Sequence, residues 1–274
     1  MRLLWVGGPT ARIELGSFRL LTDPMLSQGP EAFIMNGHPS TGEDNVPIAR
    51  LASLPPVEVD DLDLVLASHL HSDHFDAPAV ERLGTGLEVV APTANISQLR
   101  SWGFNQVHGL DWGQERSWHK DGERLRAMAL PAHHSHDEQV SHELGVVNGY
   151  LLEHRSGEAT FRIYWTGDTV WFDELPQVAE ELPAVNLLLP HLGGVGKDGP
   201  WGLMSLDAVE GTRVVRTLRP RAVIPIHHST FSHYVEPISQ FTRALASSDY
   251  TGQVVILNEG RSWTDDQRQG PPAD

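Results

Sequence analysis

The chain alternates short apolar runs with turns and amphipathic stretches. The strand-like runs are "RLLWV", "ARIEL", "FRLLT", "DLVLAS", "LEVVA", "LRAMAL", "VVNGYLLEH", "FRIYWT", "VNLLLP", "AVIPI" and "VVILN". Helical spacing is predicted over residues 77–83, 95–102, 172–182, 206–218 and 237–247. The first of these opens with Asp76 as an N-cap and carries Pro78 in its first turn, where a missing N–H costs little. In the fourth, Leu206, Val209, Val214 and Leu218 fall near one face. Hairpin-like β-structure at the start, followed by mixed strand and helix, predicts an α/β protein with sheet at its centre. No repeat or Pro/Gly/Ser-rich linker divides the chain, so one domain is expected over residues 1–264, with a flexible tail over 265–274. Two stretches lack periodicity, 27–46 and 132–144, and loops of that length in a compact domain are often functional.

Composition narrows the classes. With 40% hydrophobic residues in 274 the chain can bury a large core, yet no run approaches the roughly 20 apolar residues of a membrane span. The first residues lack a secretory pattern, and the absence of cysteine removes disulfides and thiolate chemistry, so a cytoplasmic location is expected. A net charge of −16 without any Lys/Arg block argues against nucleic acid or stable membrane attachment as partners. A small-molecule substrate remains, and homo-oligomerisation is left open.

The densest chemistry is "SHLHSDHFD", residues 68–76. His69 and His71 are two apart, which puts them on one side of an extended strand end. Asp73 and His74 follow in the turn before the helix capped by Asp76. Imidazole and carboxylate are the ligand set of zinc, iron or manganese. Partners stand at the ends of other apolar runs: His133 and His134 in "PAHHS", Asp168 in "TGDT", His227 and His228 in "IPIHHSTF". Strand ends are where α/β folds place ligands, because the scaffold is rigid there and the following loop is free to vary.

These motifs, with "LTDP" at Asp23, resemble in order and approximate spacing the metallo-β-lactamase superfamily, the αββα-sandwich metallohydrolases. The opening "GGPTARIELGSFRLLTDP" and the PA-x-H-S pattern resemble the branch that includes the ascorbate-phosphate lactonase and N-acyl-phosphatidylethanolamine phospholipase D. The resemblance implies a four-layer αββα sandwich binding two divalent ions, zinc first, with manganese or iron as alternatives. It implies one metal on His69, His71 and His134, and a second on Asp73, His74 and His227, with Asp168 bridging. His134 is chosen over His133 and His227 over His228 on the branch pattern and on strand position. Asp23 is implied to support the ligands through hydrogen bonds.

The expected activity is hydrolysis of a small ester-like substrate, lactone or phosphodiester, by hydroxide formed from a metal-activated water. Asp73 would orient that nucleophile and take its proton. His228, His191 and His133 are candidate leaving-group acids, since imidazole titrates near neutrality. His38, in the first aperiodic stretch, is a candidate substrate contact. His136, His142 and His233 are read as surface or supporting residues. Trp165, Trp171 and Trp201 are read as core or pocket wall, and Lys197 as an exposed lysine with an anion-binding option. Competing readings are a di-iron redox protein on the same scaffold, a nuclease or phospholipase, and a non-catalytic metal-binding protein.

Overall fold

The computed structural model describes residues 1–265. In chain order the elements are β1 (Arg2–Gly7), β2 (Thr10–Leu15), β3 (Phe18–Thr22), β4 (Phe33–Met35), β5 (Val46–Ile48), β6 (Leu64–Leu66), α1 (Ala77–Arg82), β7 (Glu88–Ala91), α2 (Ile96–Ser101) and β8 (Gln106–Gly109). They continue with β9 (Glu115–Lys120), β10 (Glu123–Ala132), α3 (Glu138–Leu144), β11 (Val147–Ser156), β12 (Ala159–Trp165), α4 (Leu175–Glu181) and β13 (Leu187–Leu189). The last are α5 (Ala208–Leu218), β14 (Ala222–Val223), α6 (Ile238–Ala246), β15 (Gln253–Val254) and β16 (Ser262–Thr264).

Two seven-stranded sheets run β16-β1-β2-β3-β6-β7-β8 and β15-β14-β13-β12-β11-β10-β9. Each is antiparallel over the half built from hairpins and parallel over the half built from crossovers. Side chains alternate across each strand, so the two faces of a sheet present different sets of residues. Along β6, Leu64 and Leu66 join the core between the sheets, whereas Val65 faces α1 and α2. Along β11, Tyr150 and Leu152 enter the same inter-sheet core, and Leu151 packs under α4, α5 and α6. The architecture is a helix–sheet–sheet–helix sandwich.

All five predicted helices are present within a few residues of the expected bounds, and Asp76 caps α1 by accepting the Ala79 N–H at 2.8 Å. Several elements depart from the sequence reading. The runs "AVIPI" and "VVILN" contribute only two-residue ladders, β14 and β15; Pro225 has no N–H to continue the first. The strands β8 and β9 were not predicted. They lie at opposite sheet edges, where one side faces water and the apolar signal is thin. The aperiodic stretches are not structureless either. One holds the β4–β5 hairpin and the other holds α3, capped by Asp137.

Of the expected tail, Asp265 donates its N–H to the Met1 carbonyl at 3.0 Å and accepts from Arg221 at 2.8 Å. The remainder of the tail, 266–274, lies outside the described residues. Among the described residues no helix is long and apolar enough to cross a membrane.

Candidate metal centre

Strand direction gathers the polar residues at one rim. β3 and β6 are parallel neighbours, and β12, β13 and β14 are parallel to one another, so each group exits at a common edge. β3 leads to Asp23, β6 to His69, His71, Asp73 and His74, and β10 to His134. β12 leads to Asp168, β13 to His191 and β14 to His227. Binding at the carboxyl ends of parallel strands follows from the loops being free there while the sheet stays rigid.

Five imidazoles converge, each with one ring nitrogen committed. His74 Nδ1 donates to Asp23 Oδ2 at 2.7 Å. His69 Nδ1 lies 2.9 Å from Ser68 Oγ, whose hydroxyl donates to Asp23 Oδ2 at 2.6 Å. His134 Nδ1 meets the Met204 carbonyl at 2.8 Å, His227 Nδ1 the Leu192 carbonyl at 3.0 Å, and His71 Nε2 the Leu144 carbonyl at 2.9 Å. Carbonyls accept only, so the other nitrogen of each of these three rings is bare. The bare atoms point inward. His134 Nε2 and His71 Nδ1 face each other at 3.2 Å, while the buried Nε2 atoms of His69, His74 and His227 have no partner. Two lone pairs that close repel unless a cation stands between them.

The donors form two adjoining groups. The free atoms of His69, His71 and His134 lie within 4.8 Å of one another, as do ligand-type atoms of His74, Asp168, His191 and His227. Asp168 Oδ2 is 3.3 Å from His74 Nε2 and its Oδ1 is 3.4 Å from His227 Nε2. Asp73 Oδ2 stands 3.8 Å from His74 Nε2. His227 and Asp23 hold positive φ angles of 59° and 29°, unusual for residues with a Cβ.

Burial sets the protonation of the rings. It lowers the His69 pKa well below the ordinary value, His71 to about 4 and His227 to about 3, which keeps them neutral. For Asp73 and Asp168 burial works against the charge, yet the imidazoles around them hold both carboxyls well below their usual range. His74 goes the other way. Burial lowers its pKa, but Asp168, Asp73 and Asp23 outweigh it and raise it well above normal. A proton on His74 and a metal cation are thus alternative counter-charges for the same carboxylates. Neutral nitrogen and carboxylate oxygen suit zinc, manganese or iron alike, so the donor set fits such ions without selecting one.

Several expected roles are corrected by position. His191 is fully buried, its Nδ1 donating to Asp168 Oδ1 at 2.8 Å and its Nε2 accepting the Trp165 indole N–H at 2.6 Å. Both nitrogens are committed, so it holds Asp168 in place and has no proton to offer a leaving group. His228 turns into the core, its ring 4.6 Å from Trp5, and burial lowers its pKa to about 4, which removes it as an acid. His133 points away from the cluster, between Trp112 at 5.5 Å and Phe172 at 4.6 Å. There it lines an open groove of about 1070 Å³, the largest concavity described, which contains none of the clustered donors. His38 accepts the Ser40 N–H at 3.3 Å, and its neighbours Asn36, Gly37 and Pro39, not His38 itself, line the cavity over the cluster. Lys197 is tied to Glu236 at 2.7 Å and Asp207 at 3.0 Å and is held charged by them. Trp165 lies in the inter-sheet core and Trp171 under Arg213, leaving Trp201 to wall the cavity.

Of the three histidines read as surface or supporting residues, His233 stands against a clustered carboxylate. His233 is buried among Phe33, Phe231 and Tyr234, with Nε2 3.3 Å from Asp73 Oδ2. It lies beyond the strand-end motif, and only its place in "TFSHYVEP", close after His227, hinted at proximity.

The cavity at the cluster measures about 310 Å³. His71, Asp73, His134 and Asp168 form its floor, and the β4–β5 loop, α3 and residues 195–204 supply its walls. The first two of these segments lie in the aperiodic stretches 27–46 and 132–144, and the third does not.

The chain matches the family model described as "Beta-lactamase superfamily domain" over residues 19–228. It is 29% identical over 251 residues to N-acyl-phosphatidylethanolamine-hydrolyzing phospholipase D 1 of Caenorhabditis elegans, covering 85% of this chain and 66% of that protein's length. A UPF0173 metal-dependent hydrolase of Methanopyrus kandleri is 26% identical, with 96% of this chain and 99% of that one aligned. Among solved structures, the isothiocyanate hydrolase from Delia radicum gut bacteria superposes with a TM-score of 0.78 at 19% identity, over 97% of this chain and 99% of that one, a likeness of fold. The matched span begins in β3 and ends just past β14, enclosing every convergent imidazole and carboxylate from Asp23 to His227. The chain belongs to the metallo-β-lactamase superfamily.

Proposed function

We propose that the protein is a hydrolase that binds two divalent cations and cleaves a small ester-like substrate. The observation that carries this reading is the set of bare, buried nitrogens: His71 Nδ1 and His134 Nε2 at 3.2 Å, with the unpartnered Nε2 atoms of His69, His74 and His227. The facing pair has no proton between its nitrogens, and among the described residues Asp168 is the one carboxylate that comes within 3.4 Å of both His74 Nε2 and His227 Nε2, an arrangement a cation would complete. His69, His71 and His134 would hold one cation, and Asp73, His74 and His227 the other, with Asp168 between them. The names of the relatives support hydrolysis as the chemistry.

Bound cations would supply a water of lowered pKa and polarise the oxygen of the scissile bond. The rest falls to side chains. Asp73 borders both the cluster and the cavity, so its carboxylate can take the proton of the attacking water. His233 Nε2, 3.3 Å away, lies against that carboxylate and would limit its freedom to swing. With His191, His228 and His133 removed as acids, Asp73 is also the group placed to return the proton to the leaving oxygen. Asp23, Ser68 and the carbonyls of Leu144, Leu192 and Met204 set which nitrogen of each ring faces inward. The apolar walls keep bulk water from the reacting bond.

The test is metal analysis with turnover. Purified protein should carry close to two equivalents of metal and hydrolyse phenyl acetate or a simple lactone. Chelation should abolish activity, and returning zinc or manganese should restore it. A metal-replete protein that hydrolyses no ester, lactone or phosphodiester would overturn the reading.

A further inference from the structure

The cavity over the cluster is small, and among the described residues no Lys or Arg lines it. Its volume of about 310 Å³ is at the lower end of the roughly 300–1,000 Å³ of small-molecule sites. Away from the ligand residues the lining is dominated by Met35, Val140, Leu144, Val195, Trp201 and Met204. Glu143, exposed and hydrogen-bonded by Gln139 at 3.0 Å, is the one further ionisable side chain in the lining among the described residues. Lys197, two residues from Val195, is consumed by Glu236 and Asp207.

Two loops meet over this space. A Cβ at Gly37 would stand 2.9 Å from Cη2 of Trp201, and one at Gly199 would collide with the Pro39 carbonyl oxygen. The absence of side chains at these glycines lets the β4–β5 loop and residues 195–204 close to contact. A long acyl chain would have to force them apart. An anionic group remote from the reacting bond would find no counter-ion among the described lining residues and would face the Glu143 carboxylate.

We propose that this site takes a small, uncharged ester or lactone with a compact apolar body, and excludes both long acyl chains and substrates with an anionic group away from the scissile bond. The proposal rests on the hydrolytic reading above. In the reaction the water oxygen bonds to the acyl carbon, the acyl C–O bond breaks, and the water's proton ends on the departing oxygen. Phospholipids therefore fall outside the substrate class, although one relative is named for hydrolysing one.

The experiment compares matched probes on the metal-loaded protein. kcat/KM is measured for phenyl acetate, for 4-acetoxybenzoate, which adds a remote carboxylate, and for phenyl decanoate, which adds chain length. Non-productive binding cancels in this ratio. In parallel, calorimetry measures binding of acetanilide and decananilide, neutral amides of the same two sizes. The expected result is at least a tenfold preference for phenyl acetate over both other esters, and acetanilide bound more tightly than decananilide. Glu143→Gln should narrow the acetate-to-benzoate ratio about threefold, and Trp201→Ala should narrow the acetate-to-decanoate ratio. Equal or better turnover of the carboxylate or the decanoate by the wild type overturns the proposal. If no ester is cleaved the hydrolytic reading fails by itself, and the amides then decide: decananilide binding as tightly as acetanilide overturns the size selection, and the reverse sustains it.

Discussion

His74 Nδ1 and Asp23 Oδ2 stand 2.7 Å apart, both side chains fully buried, although the residues are 51 positions apart in the chain. The same carboxylate accepts the backbone N–H and the hydroxyl of Ser68, and through that hydroxyl it also steadies His69. One acid thus fixes two rings, one from each donor group. Asp23→Asn keeps the shape but offers one acceptor oxygen in place of two, and should weaken metal binding about 10–100-fold. Competition against a chromophoric chelator measures this, with circular dichroism confirming retention of fold; unchanged affinity would remove Asp23 from the support of the site.

His233 bears on Asp73 alone among the clustered acids, at 3.3 Å. Replacing it by Phe should leave metal content near wild type and lower kcat by about tenfold or more, because the freed carboxylate samples other rotamers. His233→Gln, which keeps an N–H donor, should recover part of the loss. Loss of metal together with activity in both variants would make His233 a structural prop only.

Trp165 donates its indole N–H to His191 Nε2 at 2.6 Å deep in the inter-sheet core. Trp165→Phe leaves that nitrogen unpaired and should cost about 1–3 kcal/mol for the stranded acceptor, with further loss from the smaller ring. Urea denaturation of the metal-free variant reads this cost, and an unchanged midpoint would show that the indole hydrogen bond contributes nothing.

Metal itself should act as a stabiliser, since the unfolded chain scatters the ligands. At a free metal concentration 100 times Kd the gain is about 2.7 kcal/mol. For a chain of this size that is several degrees in Tm. A thermal melt with and without zinc checks it, and identical melts would contradict a preformed site.

Far from the cluster, Glu123 accepts the Ser17 N–H at 2.6 Å and the Ser17 hydroxyl at 2.9 Å, fastening the β2–β3 turn to the start of β10. Burial is the largest single influence and raises its pKa, but the hydrogen bonds from Ser17, His154 and Ser156 together outweigh it and hold it down to about 2. A carboxyl with a folded pKa below its unfolded one stabilises above the unfolded value and loses that contribution as pH falls through the folded one. Wild type and Glu123→Gln should therefore differ in stability at pH 7, converge between about 4.5 and 2, and coincide below. A gap that does not change with pH would show that the charge of Glu123 is irrelevant.

The sequence by itself determined most of the strands and helices and most of the side chains that cluster, while the αββα layering came from the resemblance its motifs carry. Period-two and period-3.6 apolar patterns come from burial on one face, a local property of strands and helices, so β1, β6, β11 and α5 are readable without coordinates. The run from His69 to His74 is equally local: one strand end and one turn fix four side chains. What a single stretch could not decide was direction across the fold. His227 and His228 are adjacent and alike, yet a positive φ at His227 aims one ring at Asp168 while the other packs on Trp5. His191 looked like a free acid until Trp165 and Asp168 occupied its two nitrogens. His233 had no motif, and its role came only from the fold bringing "TFSHYVEP" back over Asp73. The cavity is the extreme case, because its size depends on two loops closing over glycines, a long-range contact that neither loop's own sequence encodes. Local patterns are written in periodicity and spacing; the choice of which polar atom faces which is settled by packing between segments far apart in the chain.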